Sequence, residues 1–485
     1  MAETQKLPSF HILICMIQVW KPQGKEIMKI PKDAMTITEV QSIEVEESYK
    51  KLIGTASVKF PRGTVIRKTV TKQNEDKVAQ DNALVANVDD AGVIEEVRTS
   101  SSIASTGDFQ TGMRIRINLG YTTDPKIAEL GKVRNKNKNV FNDTGSRNKF
   151  MQACSFQAFD GYITKVSVDT PIELHCENLA SGLKNVSCPK VTIKSKATVN
   201  TLVADDGKYK LLQGTGLTLL PDSKAQNYDL GKIQLDPELS VADVLTEWAK
   251  FGLHSFVTYN GDKPYIAIGR SYFNNAKKDS ILNTVAQPTE APVILFDYHV
   301  AENGLTLTTT EKKHVAVEAE GVDKDYKIMH ITVLYNPKYD PNNPDKVKDK
   351  YRVVNETKLS KKAMKCGARI LSKAKDKVDM KLYTKVPYHS RKIPVTKDGL
   401  FEEARKYLDS YNANGIEGQL TLFGDLQLHT ATKVRLQDNR YPGKNGYYLI
   451  DEVRTTFGTS GYRQTIKLPY CIKRDKQDQK GNEQK

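Results

Sequence analysis

Few residues with reactive or metal-binding side chains have the spacing that a catalytic or metal site requires. His175 and Cys176, with Cys188 further along, form the closest cluster of candidate metal ligands. Neighbouring residues on a strand point to opposite faces, so His175 and Cys176 would not readily bind one ion, and we interpret them as structural. The sequence contains no phosphate-binding GxxxxGK[ST] loop, no HExxH zinc motif and no GxSxG nucleophile motif. We therefore expect no catalytic residue, no metal ligand and no cofactor.

Paired carboxylates could serve a glycoside hydrolase, which needs two of them facing one cleft. Asp89-Asp90 and Asp205-Asp206 are such pairs, but each lies beside turn residues, where solvated acidic side chains are common. The cluster Gly214-Thr215-Gly216 lacks a third glycine and a following helix, so it predicts a turn rather than a nucleotide site. No catalytic cleft can be assigned from these residues.

The third chemical signal is charge. The chain has 73 Lys and Arg against 58 Asp and Glu, which gives a net charge of +15. The most biased stretch supplies candidates for a docking or nucleic-acid surface: Lys361, Lys362, Lys365, Arg369, Lys373, Lys375 and Lys377. Single-stranded nucleic-acid sites usually interleave aromatic residues with the charge, and here only Tyr383 and Tyr388 do so. DNA binding, docking of an acidic protein and a solvated helix face all stay open as interpretations.

Length and composition describe a multidomain protein. A chain of 485 residues is too long for one hydrophobic core, so we expect three or four domains. Residues 10–20 are the most apolar stretch near the start, but they are too short to span a bilayer and lack the flanks of a signal peptide. The six scattered cysteines, with no CxxC, predict reduced and mostly buried thiols. We expect synthesis in the host cytoplasm, without a signal peptide or a membrane span.

Period-two alternation dominates the elements that would position these residues. It predicts strands at residues 37–45, 53–60, 113–121, 156–176 (as two strands), 255–259, 264–268, 293–300, 327–335, 418–423, 433–436, 446–453 and 461–468. Helical spacing of apolar residues predicts helices at 240–252 and 400–413, the first with a capping box formed by Ser240 and Asp243. Gly161, at the start of a strand, predicts a bulge or a close backbone approach.

Long polar segments interrupt this pattern. Residues 62–108 are rich in Thr, Asp and Ser, and a loop of this length is often functional or mobile, although a hairpin within it is left open. Residues 132–149 are basic and rich in Asn, which predicts an exposed loop. Residues 356–392 are strongly basic, and a partly helical structure is one interpretation of them.

Three groups of segments, taken together and in order, follow a known pattern. The first is MRIRINLGY followed by FDGYITKVSVDTPIELHCENL, the second is the helix SVADVLTEWAKFGL with its hairpin, and the third ends in GYYLIDEVRTTFGTSGYRQTIKL. Together they resemble the phage tail hub family, which includes the late control protein D group, the baseplate hub of contractile tails and the N-terminal part of type VI secretion spike proteins. The positions in the family motifs are structural: Gly120, Tyr121, Phe159, Gly161, Tyr162, Gly446, Tyr447, Gly461 and Tyr462.

The resemblance implies a fold class. It is mainly β with α+β parts, with two similar tube-like β-barrel domains and a smaller α/β connecting domain. The resulting division is a first barrel at 1–190, a connecting domain at 191–290, a second barrel at 291–340 and 393–470, a basic insertion at 341–392 and a charged tail at 471–485.

The resemblance also implies a function. Such a protein is a structural, non-enzymatic hub that forms a homotrimer and adapts a sixfold tail tube to a threefold central spike. Its expected partners are the tube protein, the spike protein and baseplate or distal tail proteins, its expected location is the virion tail, and DNA would pass through its channel. The alternatives are a tail-associated hydrolase of cell-wall glycan and a basic DNA-binding protein.

Overall fold

Strands dominate the computed structural model of the chain. It describes residues 11–22, 29–31, 34–70, 83–88, 94–131, 144–167, 171–250, 252–260, 263–270, 281–283, 285, 287–308, 315–323, 327–336, 351–354, 368–371, 380, 383–390, 395–411 and 415–475. The strands of these residues form one sheet of 14 strands and five smaller sheets. The predicted mainly β class is therefore confirmed.

The first part of the chain, called here the N-terminal unit, contributes ten strands to the large sheet. They are β1 (Ile12–Trp20), β2 (Met35–Ile37), β3 (Ser42–Ser48), β4 (Thr55–Phe60), β5 (Val65–Val70), β6 (Ala83–Val88), β7 (Ile94–Ile103), β8 (Arg114–Thr122), β9 (Phe156–Val166) and β10 (Ile172–Asn178). Two helices, α1 (Pro125–Gly131) and α2 (Thr144–Ala153), lie between β8 and β9. Residues of β1 to β4 and β8 to β10, with Ile66 of β5, build one apolar core, which includes Ile17, Ile37, Val45, Val58, Ile115, Phe159 and Leu174.

The middle part, the connecting unit, is smaller and mixes helices with strands. Its elements are β11 (Val191–Thr198), α3 (Val199–Val203), β12 (Thr218–Leu219), α4 (Pro221–Gln226), β13 (Asp229–Leu235), α5 (Val241–Lys250), β14 (Leu253–Asn260) and β15 (Lys263–Arg270). The predicted capping box begins α5, because the Asp243 N–H donates to the Ser240 hydroxyl at 3.1 Å and the Asp243 carboxylate accepts from the Ser240 N–H at 2.9 Å. The predicted hairpin is β14 paired with β15.

The last part, the C-terminal unit, holds the remaining elements. They are β16 (Val293–Leu295), α6 (Phe296–His299), β17 (Val300–Asn303), β18 (Thr306–Thr308), β19 (Val315–Val322), β20 (Ile328–Tyr335), β21 (Tyr351–Val354), β22 (Ala368–Leu371), β23 (Thr384–His389), α7 (Lys397–Tyr411), β24 (Gly415–Glu417), β25 (Gln419–Phe423), β26 (Lys433–Gln437), β27 (Gly446–Leu449), β28 (Glu452–Gly458), β29 (Gly461–Lys467) and β30 (Tyr470–Arg474). β17, β25, β28 and β29 belong to the large sheet, and β16, β26, β27 and β30 form a four-stranded one.

The large sheet runs β17-β25-β29-β28-β3-β4-β10-β9-β8-β1-β2-β5-β7-β6. In the strand pairings of the described residues, none of the six sheets closes into a barrel. These pairings therefore do not confirm the predicted pair of β-barrels. They show a single open sheet that the N-terminal and C-terminal units share.

Three predicted strands are broken where the chain changes partner. The strand predicted at 37–45 is β2, paired with β1, and then β3, paired with β4 and β28. The strand predicted at 293–300 is interrupted by α6, where His299 Nδ1 accepts the Leu295 N–H at 2.9 Å. The strand predicted at 446–453 splits into β27 of the four-stranded sheet and β28 of the large one. Alternation persists through such breaks, so the sequence pattern does not reveal them.

Segments predicted to be irregular also contain regular structure. The predicted loop 62–108 supplies β5, β6 and β7, and α2 begins at Thr144 inside the loop predicted at 132–149. In the basic stretch 356–392, the described residues include β22 and β23, and Tyr388 of β23 is buried in the same core as Leu400 and Phe401 of α7. Most of this stretch lies outside the described residues, so its partly helical interpretation stays a prediction. The predicted charged tail starts with β30, which pairs with β27.

Candidate assembly interface

The two ends of the chain meet in one antiparallel strand pair, β3 with β28. Its register runs from Glu452 opposite Ser48 to Gly458 opposite Ser42, so each strand is paired over its full length. Cross-strand pairs are the unit of stability in a sheet. The sheet therefore passes without a break from the N-terminal unit to the C-terminal unit, and we call this pair the junction.

Charged side chains reinforce the junction. Arg454 of β28 forms an ion pair with Glu44, and its Nε lies 3.7 Å from the carboxylate of Glu46. Beyond the end of β3, the Lys50 ammonium donates to Asp451 at 2.6 Å. Burial raises the pKa of Asp451, and the neighbouring Lys50 opposes that rise. The charges at the junction are thus paired in opposite signs on two adjacent strands.

Two tyrosines from the family motifs meet behind the junction. The rings of Tyr121 on β8 and Tyr462 on β29 stack with their centroids 5.2 Å apart. The Tyr121 hydroxyl donates to the Tyr462 carbonyl at 3.2 Å. Burial raises the pKa of both phenols. A Cβ added at Gly424 would lie 2.4 Å from the Tyr462 ring. The turn after β25 can therefore pass this close to the ring only because residue 424 is a glycine.

The structure brings some of the motif positions together and separates others. Gly120 and Gly461 lie next to the stacked tyrosines in sequence, whereas Phe159 lies in the N-terminal core and Tyr162 packs against the core of the connecting unit. At Gly161 a Cβ would lie 2.1 Å from the Glu177 carbonyl oxygen, so the predicted close approach is observed. Gly446 and Tyr447 lie apart from the stack on β27, where the charged ends of Lys433 and Arg435 lie 5.8 Å from the Tyr447 ring centre.

A buried charge cluster links the N-terminal unit to the connecting unit. Arg114 is fully buried and donates from Nε and one terminal nitrogen to the two carboxylate oxygens of Asp160, both at 2.8 Å. Arg116 donates to the same carboxylate at 2.9 and 3.1 Å. The Trp20 ring lies 5.3 Å from the Arg114 guanidinium, and the Tyr259 hydroxyl of the connecting unit donates to the Asp160 carbonyl at 3.4 Å.

Sequence reasoning missed this cluster. The alternation in MRIRINLGY predicts that Arg114 and Arg116 share one face of the strand, opposite Ile115 and Ile117, but it does not predict what covers that face. A signal was present nonetheless: Asp160 lies at the centre of FDGY on the next predicted strand, and the register places it opposite Arg116. Buried charges of this kind are found where they are paired and hydrogen-bonded.

One face of the large sheet is polar across the junction. Cross-strand register aligns the side chains of six neighbouring strands, β25, β29, β28, β3, β4 and β10. All are exposed or half-buried, and we call them the polar face: Thr421, Phe423, Arg463, Thr465, Lys467, Glu452, Arg454, Thr456, Ser42, Glu44, Glu46, Thr55, Ser57, Lys59, Glu173, His175 and Glu177. The opposite face is apolar and contributes to two cores, one in each unit.

The predicted basic surface lies mostly outside the described residues. Arg369 lies on β22, paired with Arg352 of β21. The other members of that prediction, Lys361, Lys362, Lys365, Lys373, Lys375 and Lys377, fall outside the described ranges. The docking and nucleic-acid interpretations of this stretch therefore stay predictions.

Within the described ranges, no group of three or more His, Cys, Asp or Glu side chains is arranged to hold a metal ion. His175 is exposed and Cys176 is buried on the other face of β10, as their adjacency predicts. The five described cysteines are free, and burial raises the pKa of Cys15 to about 12. None of the helices in the described part of the chain is both long and apolar enough to cross a membrane.

Comparisons with known proteins find similar solved structures but no match by sequence. No family model and no curated protein matches the chain. The fold is similar to that of a 43 kDa tail protein of prophage MuSo2 from Shewanella oneidensis, with 11% identity and a TM-score of 0.45 over 93% of this chain and 95% of that one. A tail protein from Neisseria meningitidis MC58 matches with 10% identity and a TM-score of 0.42, over 94% of this chain and 96% of that one.

A third similarity is to a Francisella PdpA-VgrG complex. It has 9% identity and a TM-score of 0.40, and it covers 96% of this chain but 54% of the matched one. All three solved structures match with 9–11% identity and with a TM-score below 0.5.

Proposed function

We propose that this chain is a structural hub of a phage-type tail, and that three copies form a ring joining a sixfold tube to a threefold spike. The observation that carries the proposal is the junction. It fuses β-rich units from the two ends of one chain edge to edge. Three chains would then present six such units, which is how a threefold assembly can match a sixfold one.

The ends of the large sheet supply the surfaces for ring closure. β17 pairs only with β25 among the described strands, and β6 only with β7, so each end of the sheet has an open edge. Ala301, Glu302 and Asn303 of β17 are all exposed. An open edge presents unpaired backbone N–H and C=O groups, which are a template for pairing with another chain. A head-to-tail contact between different surfaces closes into a ring when its rotation allows it.

The two units fit the role of two tube-like modules. Phe457 and Tyr462 of the C-terminal unit belong to the same core as Ile17 and Ile115 of the N-terminal unit. The C-terminal unit has a second core, where Leu420 and Ile466 pack against Tyr448 of the four-stranded sheet. In the proposal each unit completes a barrel-like module, and the connecting unit braces the pair.

The polar face would line the channel of such a ring. Both cores lie on the other side of the sheet. In a ring the outer perimeter is the longer one, so the bulkier side of the sheet faces outward and its uncovered side faces inward. The tube protein would then meet one rim of the ring, and the spike with baseplate or distal tail proteins would meet the other. In this proposal the chain belongs to the virion tail and acts through contact area, without catalysis.

Sedimentation of the purified chain tests ring formation. The proposal predicts a species of three times the 54.4 kDa chain mass, and a threefold ring with a central hole in electron micrographs. Ala301→Pro should reduce the trimer to monomers. Ala301 is the extra residue at a bulge in the β17–β25 pairing, so proline there blocks an incoming strand and spares the paired positions on either side.

Ala301→Ser is the matched control and should stay trimeric. Both variants are compared by circular dichroism to show that the fold is intact. A monomeric wild-type chain at high concentration, with no binding to a tube protein, would overturn the proposal.

A further inference from the structure

The polar face departs from the charge balance of the whole chain. It has four basic side chains (Lys59, Arg454, Arg463 and Lys467) and five acidic ones (Glu44, Glu46, Glu173, Glu177 and Glu452), although the chain has a net charge of +15. The surplus of basic residues therefore lies elsewhere, and a face expected to meet DNA is close to neutral.

The acidic and basic groups of this face are paired across strands. The Lys467 ammonium lies 3.0 Å from Glu452, and the Lys59 ammonium lies 3.4 Å from Glu173. Glu177 is paired at 2.7 Å with Lys184, just beyond β10. Arg454 pairs with Glu44, so three of the four basic side chains have an acidic partner on the face.

Arg454 has the most acidic surroundings of the four. Its guanidinium contacts Glu44 and approaches Glu46, which stand two residues apart on the same side of β3. The Arg454 side chain is 50% exposed, so its guanidinium could otherwise contact a polyanion. Two carboxylates against one guanidinium leave this spot negative, at the line where the two units join.

From these observations we infer that Glu44 and Glu46 cancel the charge of Arg454, so that the polar face does not hold DNA. The inference rests on the proposed function for the location of the face in a channel. Retention of DNA depends on cations that contact phosphates, because each contact releases counterions. An arginine whose guanidinium is engaged by two carboxylates makes no such contact. DNA would pass this surface without being held on it.

The test is the double variant Glu44→Gln/Glu46→Gln in the full-length chain. Its probe is a fluorescent 20-base-pair DNA duplex, with binding followed by anisotropy between 25 and 300 mM NaCl. The freed Arg454 should strengthen binding about tenfold at 50 mM salt and steepen the salt slope by about 0.9 for each phosphate contacted. The triple variant that also carries Arg454→Gln should return to the wild-type affinity.

Glu238→Gln/Glu290→Gln is the matched control. Both acids are exposed, and within the described part of the chain neither forms an ion pair, so their removal frees no cation. The control raises the net charge by the same amount and should leave DNA affinity near the wild-type value. Equal gains in the two double variants, or no gain in the first, would overturn the inference. Sedimentation of the same samples tests the proposed function separately, because a monomeric wild type would overturn the ring and not the charge pairing.

Discussion

Of the charged side chains described above, Asp160 is the one whose neutralisation, as Asp160→Asn, should destabilise the fold most. The Asp160 carboxylate accepts four hydrogen bonds of 2.8 to 3.1 Å from two buried guanidinium groups. An asparagine keeps the shape but has one acceptor oxygen, and its amide N–H groups would face the N–H groups of Arg114 or Arg116. Arg114 and Arg116 would then stay buried beside a neutral amide at position 160 instead of a carboxylate. Breaking a buried pair in this way costs about 3–5 kcal/mol.

Urea unfolding measures the loss. Trp20 lies against Arg114, so its fluorescence reports on the cluster, and a Trp248→Phe background removes the only other tryptophan. For a slope of about 2 kcal/mol per molar urea, a loss of about 4 kcal/mol lowers the midpoint by about 2 M. The change should appear in the Trp20 transition, because Arg114 and Asp160 belong to the N-terminal unit.

Asp206→Asn is the matched control. Asp206 is paired with Lys224 at 2.7 Å on the surface, and exposed pairs contribute little, so its midpoint should not move. The triple change Arg114→Met/Arg116→Met/Asp160→Leu should recover much of the loss, since it removes the buried charges together. If Asp160→Asn shifts the midpoint no further than Asp206→Asn does, the cluster does not stabilise the fold and the reasoning is wrong.

Three further predictions concern single side chains. Gly424→Ala should lower stability by about 1–3 kcal/mol, measured by urea unfolding, because the new methyl group would overlap the Tyr462 ring. Cys15, whose pKa burial raises to about 12, should react with a thiol reagent at pH 8 only after unfolding, since almost none of it is thiolate in the native state. Burial acts to raise the pKa of Asp438, but the Lys444 ammonium and two backbone N–H groups outweigh it and lower that pKa. Its contribution to stability is therefore complete above the unfolded value of about 3.9 and is lost as the pH falls through the folded value, so Asp438→Asn should differ from wild type at pH 7 and converge with it in acid.

Each of these has its own control. Gly107→Ala adds a methyl group whose nearest neighbour is 3.8 Å away and should be tolerated. Cys471 is only partly buried, so its modification in the native protein shows that the reagent is active. Asp205→Asn, at an exposed position, should change stability at pH 7 by less than about 0.5 kcal/mol. Rapid native labelling of Cys15, or a constant gap between Asp438→Asn and wild type down to pH 2, would contradict the structure.

Local patterns predicted about half of the strands, and the helices α5 and α7, because each of these has one buried face. The capping box at Ser240 and the close approach at Gly161 also followed from residue types alone. What the local pattern lacks is the partner of each strand. Nothing in residues 42–48 indicates that they pair with residues 452–458, and that pairing decides where β3 begins and how the units join.

The same limit explains why the cluster around Arg114 and Arg116 was missed. Alternation predicts which face a side chain lies on, but it does not predict what covers that face. Here the connecting unit covers it through Tyr259, and Asp160 compensates the charge. The motif tyrosines were found by resemblance, and their stacking against each other could be seen only once β8 and β29 were placed across one core.

The junction also sets the order of events during synthesis. Asp451, the partner of Lys50, is synthesised 401 positions later. At about 5–20 residues per second, a ribosome needs on the order of 20–80 s to reach it. For that interval the nascent chain presents β3 with one side unpaired. A chain that stops short of residue 452 never covers that edge, so the large sheet can be completed only after the C-terminal unit has been made.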